Sequence, residues 1–423
     1  MSEVTITAIG GNGDGLAITP DGDRVFIPTA LPGETWDTRE RPAIRTSAPA
    51  EDRVAPPCTH FTVCGGCTAQ HMARKTYRNW KVSRLQDALS RANLAPDITD
   101  LWQAEPGTRR RLTLEAHRDG KEITIGLAAA KSHARFDMTE CPVANPKLVA
   151  TLDPLRALCR SQLSPHGAAR ITLTTVRDGV AIAIAAKPRD IASDRVRPDT
   201  MSDILAAGIC QVTLNDDVLV ASARPTLTLG SATTSLPNGS FLQAVPEAEI
   251  AMQTLVCQAL SKERKIIDLF AGLGTFALPL AKTARVTASD SDRDGLEALA
   301  HTAKAASGIK PLTTLRRDLF REPLSARELK DFTGAVINPP RAGADAQTRA
   351  IAASTLRTVT MVSCNPKTFA RDARTLVEAG FALGKVHPLD QFLWSPHLEV
   401  VGTFTRRREC GRRTLAQHHS PAR

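Results

Sequence analysis

The sequence of 423 residues predicts an α/β protein whose C-terminal part contains a parallel sheet. From about residue 240, short apolar strands alternate with helical stretches, a pattern typical of parallel sheets. Residues 108–235 consist mostly of strand-like runs, such as 112–115 and 171–176, which favours an antiparallel central domain. The first 50 residues contain short alternating segments between Gly- and Pro-rich turns, which predicts a small β-barrel.

These patterns divide the chain into four segments. Residues 1–50 are the predicted barrel, and residues 51–235 contain a cysteine-rich loop followed by the mostly-β central domain. The parallel sheet occupies residues 236–410. Residues 411–423 are a basic tail with little apolar content, which we expect to be disordered.

Composition indicates the class of partner and the redox state of the thiols. The net charge of +10 and the pI near 9.3 favour a polyanionic partner such as nucleic acid, although a basic protein without such a partner is the alternative. The sequence shows neither an apolar run long enough to span a membrane nor a signal pattern, so we expect a cytoplasmic protein. Nine cysteines in this context indicate reduced thiols, metal ligands or a nucleophile.

The first strand of the parallel sheet ends in a glycine-rich turn, Asp268-Leu269-Phe270-Ala271-Gly272-Leu273-Gly274. Glycines let the backbone approach a ligand closely. Asp290 follows about 20 residues later at the end of the next strand, where a carboxylate can bind a ribose diol. The turn lacks the third glycine of the dinucleotide fingerprint, so S-adenosylmethionine, which has a ribose but no phosphate, fits better. A tight turn without a ligand is the alternative.

A candidate nucleophile, Cys364, follows the buried strand 358–362 and is flanked by loop-forming residues. The carboxyl edge of an α/β sheet is where active sites lie, and a thiolate is the strongest common side-chain nucleophile. Glu399 precedes the last strand and can enter the same cleft as a second catalytic group. The alternatives are a buried inert cysteine and a solvated strand-end glutamate.

A second loop at this edge is Asn338-Pro339-Pro340-Arg341. The two prolines lack N–H donors and stiffen the loop, so the Asn338 side chain can be aimed at a base or at the methyl donor. A plain loop is the alternative.

Four other cysteines, Cys58, Cys64, Cys67 and Cys141, form a possible four-thiolate site. Three of them lie on one glycine-containing loop. Four thiolates suit either zinc or an iron–sulfur cluster. The spacing differs from the paired Cys-x2-Cys of zinc ribbons and so favours the cluster, with unconnected thiols as the alternative.

With these motifs the chain resembles, over nearly its full length, the RNA uracil-5 methyltransferases that make 5-methyluridine. The resemblance is to the iron–sulfur branch that acts on 23S ribosomal RNA. It implies a class I, Rossmann-like methyltransferase domain, an N-terminal TRAM domain (an OB-like RNA-binding barrel) and a [4Fe–4S] cluster on the four cysteines above. The implied S-adenosylmethionine-binding residues are Gln243, Phe270, Gly272, Gly274, Thr275, Asp290, Asp318 and Asn338. The implied nucleophile is Cys364 and the implied base is Glu399.

The resemblance also implies the reaction. The Cys364 thiolate adds to carbon-6 of uracil, carbon-5 attacks the donor methyl group, and Glu399 removes the carbon-5 proton before the thiol leaves. We expect Arg341 to lower the pKa of the thiol. The chain departs from the family at Asn338, usually Asp, at Thr275, often Asn, and at Asp290, often Glu.

Two alternatives remain open. One is a tRNA uridine-5 methyltransferase, a branch that resembles this fold without the barrel and the cluster. The other is a non-catalytic RNA-binding protein with a decayed site, suggested only by Asn338. No obligate protein partner is expected.

Overall fold

The computed structural model describes residues 3–127, 136–193 and 195–406. The predicted basic tail, 411–423, lies outside the described residues. None of the helices within these ranges combines the length and the apolar character needed to cross a membrane.

The N-terminal segment contains six short strands around a small core. They are β1 (Glu3–Thr5), β2 (Ala8–Ile9), β3 (Gly15–Ile18), β4 (Arg24–Ile27), β5 (Thr35–Asp37) and β6 (Ile44–Arg45). They pair into two three-stranded sheets, β1-β5-β6 and β2-β3-β4. Val4, Ile6, Ala17, Ile27 and Ala30 fill the space between the sheets. Closure into an OB-like barrel stays a prediction.

Helix α1 (Arg74–Arg91) and the short strand β7 (Trp102–Gln103) precede the central sheet in the chain but pack with the large C-terminal sheet. A six-stranded sheet follows, in the spatial order β13-β12-β11-β10-β8-β9. Its strands are β8 (Arg111–Asp119), β9 (Glu122–Gly126), β10 (Ala168–Val176), β11 (Gly179–Ala186), β12 (Ile209–Leu214) and β13 (Asp217–Ala221). Helices α2 (Pro146–Ala150), α3 (Leu152–Gln162) and α4 (Pro198–Ala206) share its apolar core.

The prediction of an antiparallel central sheet is wrong for one strand pair. Strand β11 pairs with β12 in parallel, whereas the other four pairings are antiparallel. A parallel pair needs a crossover connection, and α4 lies in the segment between the two strands.

The C-terminal part is a large sheet in the order β18-β17-β16-β19-β20-β22-β21-β7. Its strands are β16 (Lys265–Leu269), β17 (Arg285–Asp290), β18 (Leu312–Arg316), β19 (Gly334–Ile337), β20 (Thr358–Ser363), β21 (Phe381–Asp390) and β22 (Glu399–Arg406). It is preceded by the hairpin of β14 (Thr226–Leu229) and β15 (Ala232–Ser235), which packs on helix α7. The helices are α5 (Pro246–Ala259), α6 (Ala277–Leu280), α7 (Arg293–Ala305), α8 (Asp345–Ala352) and α9 (Pro366–Glu378).

The orientation of these strands determines where a site can form. Strands β16 to β20 are mutually parallel, and β22 runs antiparallel to both β20 and β21. One apolar core contains side chains of α5 and α7, and another contains side chains of α1, α8 and α9. The predicted α/β fold with a parallel sheet is therefore confirmed. The carboxyl ends of the parallel strands share one edge, the usual place for a ligand.

Candidate active site

A cavity of about 440 Å³ lies at the carboxyl edge of the large sheet. It is lined by all the predicted donor-binding residues except Gly274, and also by Cys364 and Glu399. We call it the donor cavity. The sequence motifs that end β16, β17, β19 and β20 thus converge on one space.

The loop after β16 is held in an unusual backbone conformation by Asp290. The φ angles of Phe270, Gly272 and Gly274 are positive, at 63°, 53° and 85°. The Asp290 carboxylate accepts hydrogen bonds from the Gly272 N–H at 2.8 Å and the Asp292 N–H at 2.9 Å. The carboxylate therefore fixes the loop against β17 while also lining the cavity.

Gly274 has a packing role. A Cβ atom at this position would lie 2.4 Å from Leu299 Cδ1 on α7, so only glycine allows this close approach. This contact explains why the loop needs glycine at a position that does not face the cavity.

Aromatic side chains line the cavity beside the predicted donor-binding residues. The Phe270 and Phe320 rings lie 5.3 Å apart at their centroids, and the Phe320 N–H donates to Asp318 Oδ1 at 3.0 Å. Phe320 and Phe241, which also line the cavity, were not predicted from the sequence. Both are large apolar side chains that are more than half exposed in a chain poor in aromatics, but exposure cannot be derived from the sequence.

Cys364 lies between the end of β20 and the N-cap of α9. The cap residue, Asn365, accepts a hydrogen bond from the Lys367 N–H at 3.1 Å and donates through Nδ2 to the Arg341 carbonyl at 3.1 Å. Asn365 therefore joins the two loops that were predicted separately. This contact places Arg341 and Cys364 side by side on the same cavity wall.

The ionisation of Cys364 differs from the expectation that Arg341 would activate it. Burial, together with the charge of Glu399, raises the pKa of the thiol to about 11, and the nearby Arg341 guanidinium only partly opposes this. The thiol is therefore protonated at neutral pH in the ligand-free protein. The predicted direction of the Arg341 effect is confirmed, but the net shift of the thiol pKa is upward.

Glu399 is the first residue of β22 and is only 3% exposed, so it is not a solvated strand-end charge. Burial raises the pKa of its carboxyl group to about 7, while a hydrogen bond from Gln391 Nε2 at 3.0 Å opposes the rise. A carboxyl group with a pKa near neutrality is suited to accept a proton from a substrate.

A second cavity, of about 620 Å³, adjoins the donor cavity. We call it the cysteine cavity because Cys58, Cys64, Cys67 and Cys141 all line it. Three residues line both cavities: Phe241, Arg341 and Cys364. The candidate nucleophile thus lies where the two spaces meet.

Two chain segments carry the four thiols, and they are joined by direct hydrogen bonds. Glu140 Oε1 accepts from the Thr59 N–H at 2.5 Å and from the Thr59 hydroxyl at 2.7 Å. His60 Nε2 lies 3.0 Å from the Thr139 hydroxyl. The segment that contains Cys141 is therefore held against the loop that begins at Cys58. All four thiols are half-buried and free of disulfides.

The arrangement of the four thiols does not by itself indicate a bound metal ion. Within the described ranges, no group of three or more His, Cys, Asp or Glu side chains is arranged to hold a metal ion. The structure thus brings the four predicted thiols to one cavity, and the identity of anything bound there stays a prediction.

Cations are concentrated around the cysteine cavity. Arg109, Arg111 and Arg341 line it, together with His397, which is neutral at pH 7 because burial and the nearby cations lower its pKa to about 4. Within the described part of the chain, none of the ion pairs involves these three arginines. Arg109 and Arg111 are half-buried and Arg341 is exposed, and arginines without a carboxylate partner favour the binding of an anion.

Comparison with known proteins identifies related chains over the whole length. A family model described as tRNA (uracil-5-)-methyltransferase matches residues 230–408. An RNA methyltransferase of Caulobacter vibrioides is 42% identical over 96% of this chain and 100% of its own length. The 23S rRNA (uracil(1939)-C(5))-methyltransferase RlmD of Halomonas elongata is 31% identical over 94% of this chain and 88% of its own.

A solved structure shows the same fold. The tRNA (uracil-54, C5)-methyltransferase of Pyrococcus abyssi, in complex with S-adenosyl-L-homocysteine, superposes with a TM-score of 0.74. The superposition covers 96% of this chain and 99% of the other at 19% sequence identity. The large sheet and its flanking helices therefore have the class I methyltransferase fold.

Proposed function

Because the chain belongs to the RNA uracil-5 methyltransferases, which use S-adenosylmethionine, we propose that it methylates carbon-5 of a uridine in 23S ribosomal RNA through a transient covalent bond to Cys364. The observation that carries this proposal is the position of Cys364 at the junction of the two cavities. A nucleophile there can reach a base in one cavity while facing a methyl donor in the other.

The proposed chemistry follows from the groups at this junction. S-adenosylmethionine supplies the methyl group when it is bound in the donor cavity. Cys364 sulfur adds to carbon-6 of the target uracil, and the electron pair of the carbon-5–carbon-6 double bond forms an enolate, which makes carbon-5 nucleophilic. After carbon-5 has taken the methyl group, Glu399 accepts the carbon-5 proton, the double bond reforms and the Cys364 thiolate leaves.

The environment of Cys364 supports this sequence of steps. The thiol must lose a proton before it attacks, and its pKa is raised to about 11 in the ligand-free protein, with burial as the main cause. The positive charge of the donor sulfonium, in a cavity that Cys364 lines, would favour the thiolate. Formation of the nucleophile would then depend on donor binding.

The unpaired arginines at the cysteine cavity support a nucleic-acid substrate. A target uridine enters a deep site only after leaving its stack, at a cost of a few kcal/mol, and contacts of cations with the flanking phosphates offset this cost. Arg109 and Arg111 each donate one guanidinium N–H to a backbone carbonyl, and their remaining donors and those of Arg341 would make such contacts where the nucleotide enters.

The choice of 23S rRNA is supported by the full-length similarity to the Halomonas enzyme and by the four grouped cysteines. The N-terminal strands do not distinguish the substrates, because the Pyrococcus tRNA enzyme also superposes over nearly the whole chain. That likeness makes tRNA the second candidate.

A direct competition decides between the two RNA classes. We expect methyl transfer from labelled S-adenosylmethionine into an unmodified 23S rRNA transcript and little or none into unmodified tRNA transcripts. Digestion to nucleosides should place the label in 5-methyluridine. Preferential methylation of tRNA would overturn the choice of substrate, and a label in any other nucleoside would overturn the assigned chemistry.

We propose that Cys58, Cys64, Cys67 and Cys141, which all line the cysteine cavity, are the ligands of a [4Fe–4S] cluster. Four sulfurs at 2.3 Å from a single zinc ion would lie about 3.8 Å apart, whereas a cubane with four irons holds its thiolates farther apart. Four thiols on two chain segments around a cavity of about 620 Å³ leave room for the larger group.

Replacing Cys141 with serine should remove most of the bound iron and sulfide. We expect the wild-type protein, purified without oxygen, to contain about four irons and to absorb visible light as iron–sulfur proteins do. Cys257→Ser is the matched control, because this half-buried thiol lies on α5, outside the cysteine cavity. One equivalent of zinc in the wild-type protein, or unchanged iron in Cys141→Ser, would contradict the assignment.

A further inference from the structure

The Gln391 side chain connects the proposed base with the donor cavity. Its Nε2 donates to Glu399 Oε1 at 3.0 Å and to Gln243 Oε1 at 2.7 Å, and its Oε1 accepts from the Val245 N–H at 3.3 Å. Gln391 is 2% exposed, Glu399 3% and Gln243 1%, so water does not compete for these contacts. Each polar atom of the Gln391 amide therefore has a partner.

The orientation of the Gln391 amide follows from its partners. A backbone N–H can only donate, so the atom facing Val245 must be the amide oxygen. The amide nitrogen then faces the Glu399 carboxyl group, to which it presents a hydrogen-bond donor. An ionised carboxylate has only acceptor atoms and can accept this bond, and a hydrogen bond to a charged acceptor is stronger than one to a neutral acceptor.

The other partner, Gln243, is anchored independently. The Gln243 carbonyl accepts from Arg110 Nε at 2.8 Å, and Arg110 forms a buried ion pair with Glu249 at 2.5 Å. Gln243 also lines the donor cavity. Gln391 Nε2 thus donates one hydrogen bond to Gln243, a fixed part of the donor site. Its second hydrogen bond determines where the Glu399 carboxylate lies.

We propose that Gln391 is a positioning residue for the methylation reaction: it aims the Glu399 carboxylate into the cavity and favours its ionised form, so that the carbon-5 proton can be removed near neutral pH. The inference rests on the proposed role of Glu399. It assigns to Gln391 a part in proton removal that involves no contact with the donor or the RNA.

The charges around Glu399 support this role. The titratable groups that line the same cavity are Cys364, Asp290 and Asp318, and the cations are Arg317 and Arg341. Arg110 donates to the Gln243 carbonyl, and its charge is neutralised by the ion pair with Glu249. Burial raises the pKa of Glu399, and the hydrogen bond from Gln391 is the interaction that opposes this rise. Without the amide, the carboxyl group would hold its proton to higher pH.

The test replaces Gln391 with methionine, which has a similar volume but no amide. We expect single-turnover methylation at pH 7 to fall about 10- to 100-fold and the acidic limb of its pH profile to move up by about one to two pH units. Raising the pH should restore most of the rate. The covalent enzyme–RNA adduct should accumulate under denaturing electrophoresis, because its breakdown needs the proton to leave.

Two controls separate the possible outcomes. Gln162→Met removes a buried glutamine of the central domain, 1% exposed, and should leave the rate and the pH profile unchanged. If Gln391→Met shows the wild-type pH profile and accumulates no adduct while Glu399→Gln is inactive, the role of Gln391 is wrong. The role of Glu399 would then still stand. Normal methylation by Cys364→Ala would instead overturn the proposed mechanism.

Should Gln391→Met fold poorly, Gln391→Glu provides a second measurement. A carboxyl group at this position retains hydrogen-bonding capacity but places a second acid against Glu399, and repulsion between the two charges raises the pKa of the second ionisation, the one that leaves both groups charged. The acidic limb should then move in the same direction as in Gln391→Met. A shift to lower pH, or no shift, would contradict the proposal.

Discussion

Replacing Cys364 with alanine should abolish uridine methylation while S-adenosylmethionine still binds. The substitution removes the nucleophile that makes carbon-5 reactive but leaves the rest of the donor cavity, including Asp290 and Asp318, in place. Loss of a covalent nucleophile typically costs a factor on the order of 10⁴ or more. Labelled methyl transfer into 23S rRNA measures the rate, and calorimetric titration with S-adenosylhomocysteine measures donor-site binding.

The variant Glu399→Gln tests the second proposed catalytic group, the base. It preserves the shape of the site but removes the base, so the enzyme should form the adduct and methylate carbon-5 without releasing the RNA. A denaturation-resistant complex that contains the labelled methyl group is the expected result. The double variant Cys364→Ala/Glu399→Gln should form none. Unimpaired methylation by Cys364→Ala would exclude the covalent route.

The parallel sheet could be predicted from the sequence because its signals are local. Strands β16, β17, β19 and β20 are short runs with buried residues, and they lead into the glycine-rich turn, Asp290, Asn338-Pro339 and Cys364-Asn365. Parallel strands place all these ends at one edge, so the convergence of Asp290, Asn338 and Cys364 followed from topology alone. Glu399 could be added because an antiparallel β22 begins where β20 ends.

The features that the sequence did not reveal depend on contacts between distant segments. Gln391 is recognisable only once β21 and β22 are paired and Gln243 lies beside them, a contact between positions 148 residues apart. The upward pKa shift of Cys364 is likewise a consequence of burial, whereas the neighbouring Arg341 alone predicted the opposite sign. The parallel pairing of β11 with β12 was missed because α4, whose crossover permits it, was not predicted.

A buried ion pair holds the loop that carries several of these residues. Lys81 on α1 donates to Asp390 Oδ1 at 2.7 Å, and both side chains are inaccessible to solvent. Lys81 also donates to the carbonyls of Phe392 and His397, while the Tyr77 hydroxyl donates to Asp390 Oδ2 at 2.6 Å. Burial lowers the pKa of Lys81 to about 8 although Asp390 opposes this, so the ammonium group remains charged at pH 7.

Replacing Lys81 with methionine should therefore destabilise the protein by about 3–5 kcal/mol, because it leaves the Asp390 carboxylate buried without its cation. The same change should lower methylation, since the loop between β21 and β22, which begins with Gln391, loses its attachment to α1. Urea unfolding measures the stability.

The matched control replaces Lys75, an exposed lysine on the same helix, with alanine. Lys75→Ala should change the stability by less than about 0.5 kcal/mol. Asp390→Asn in the Lys81→Met background removes the uncompensated charge and should recover part of the loss. If Lys81→Met unfolds at the wild-type urea concentration, the ion pair does not hold the loop.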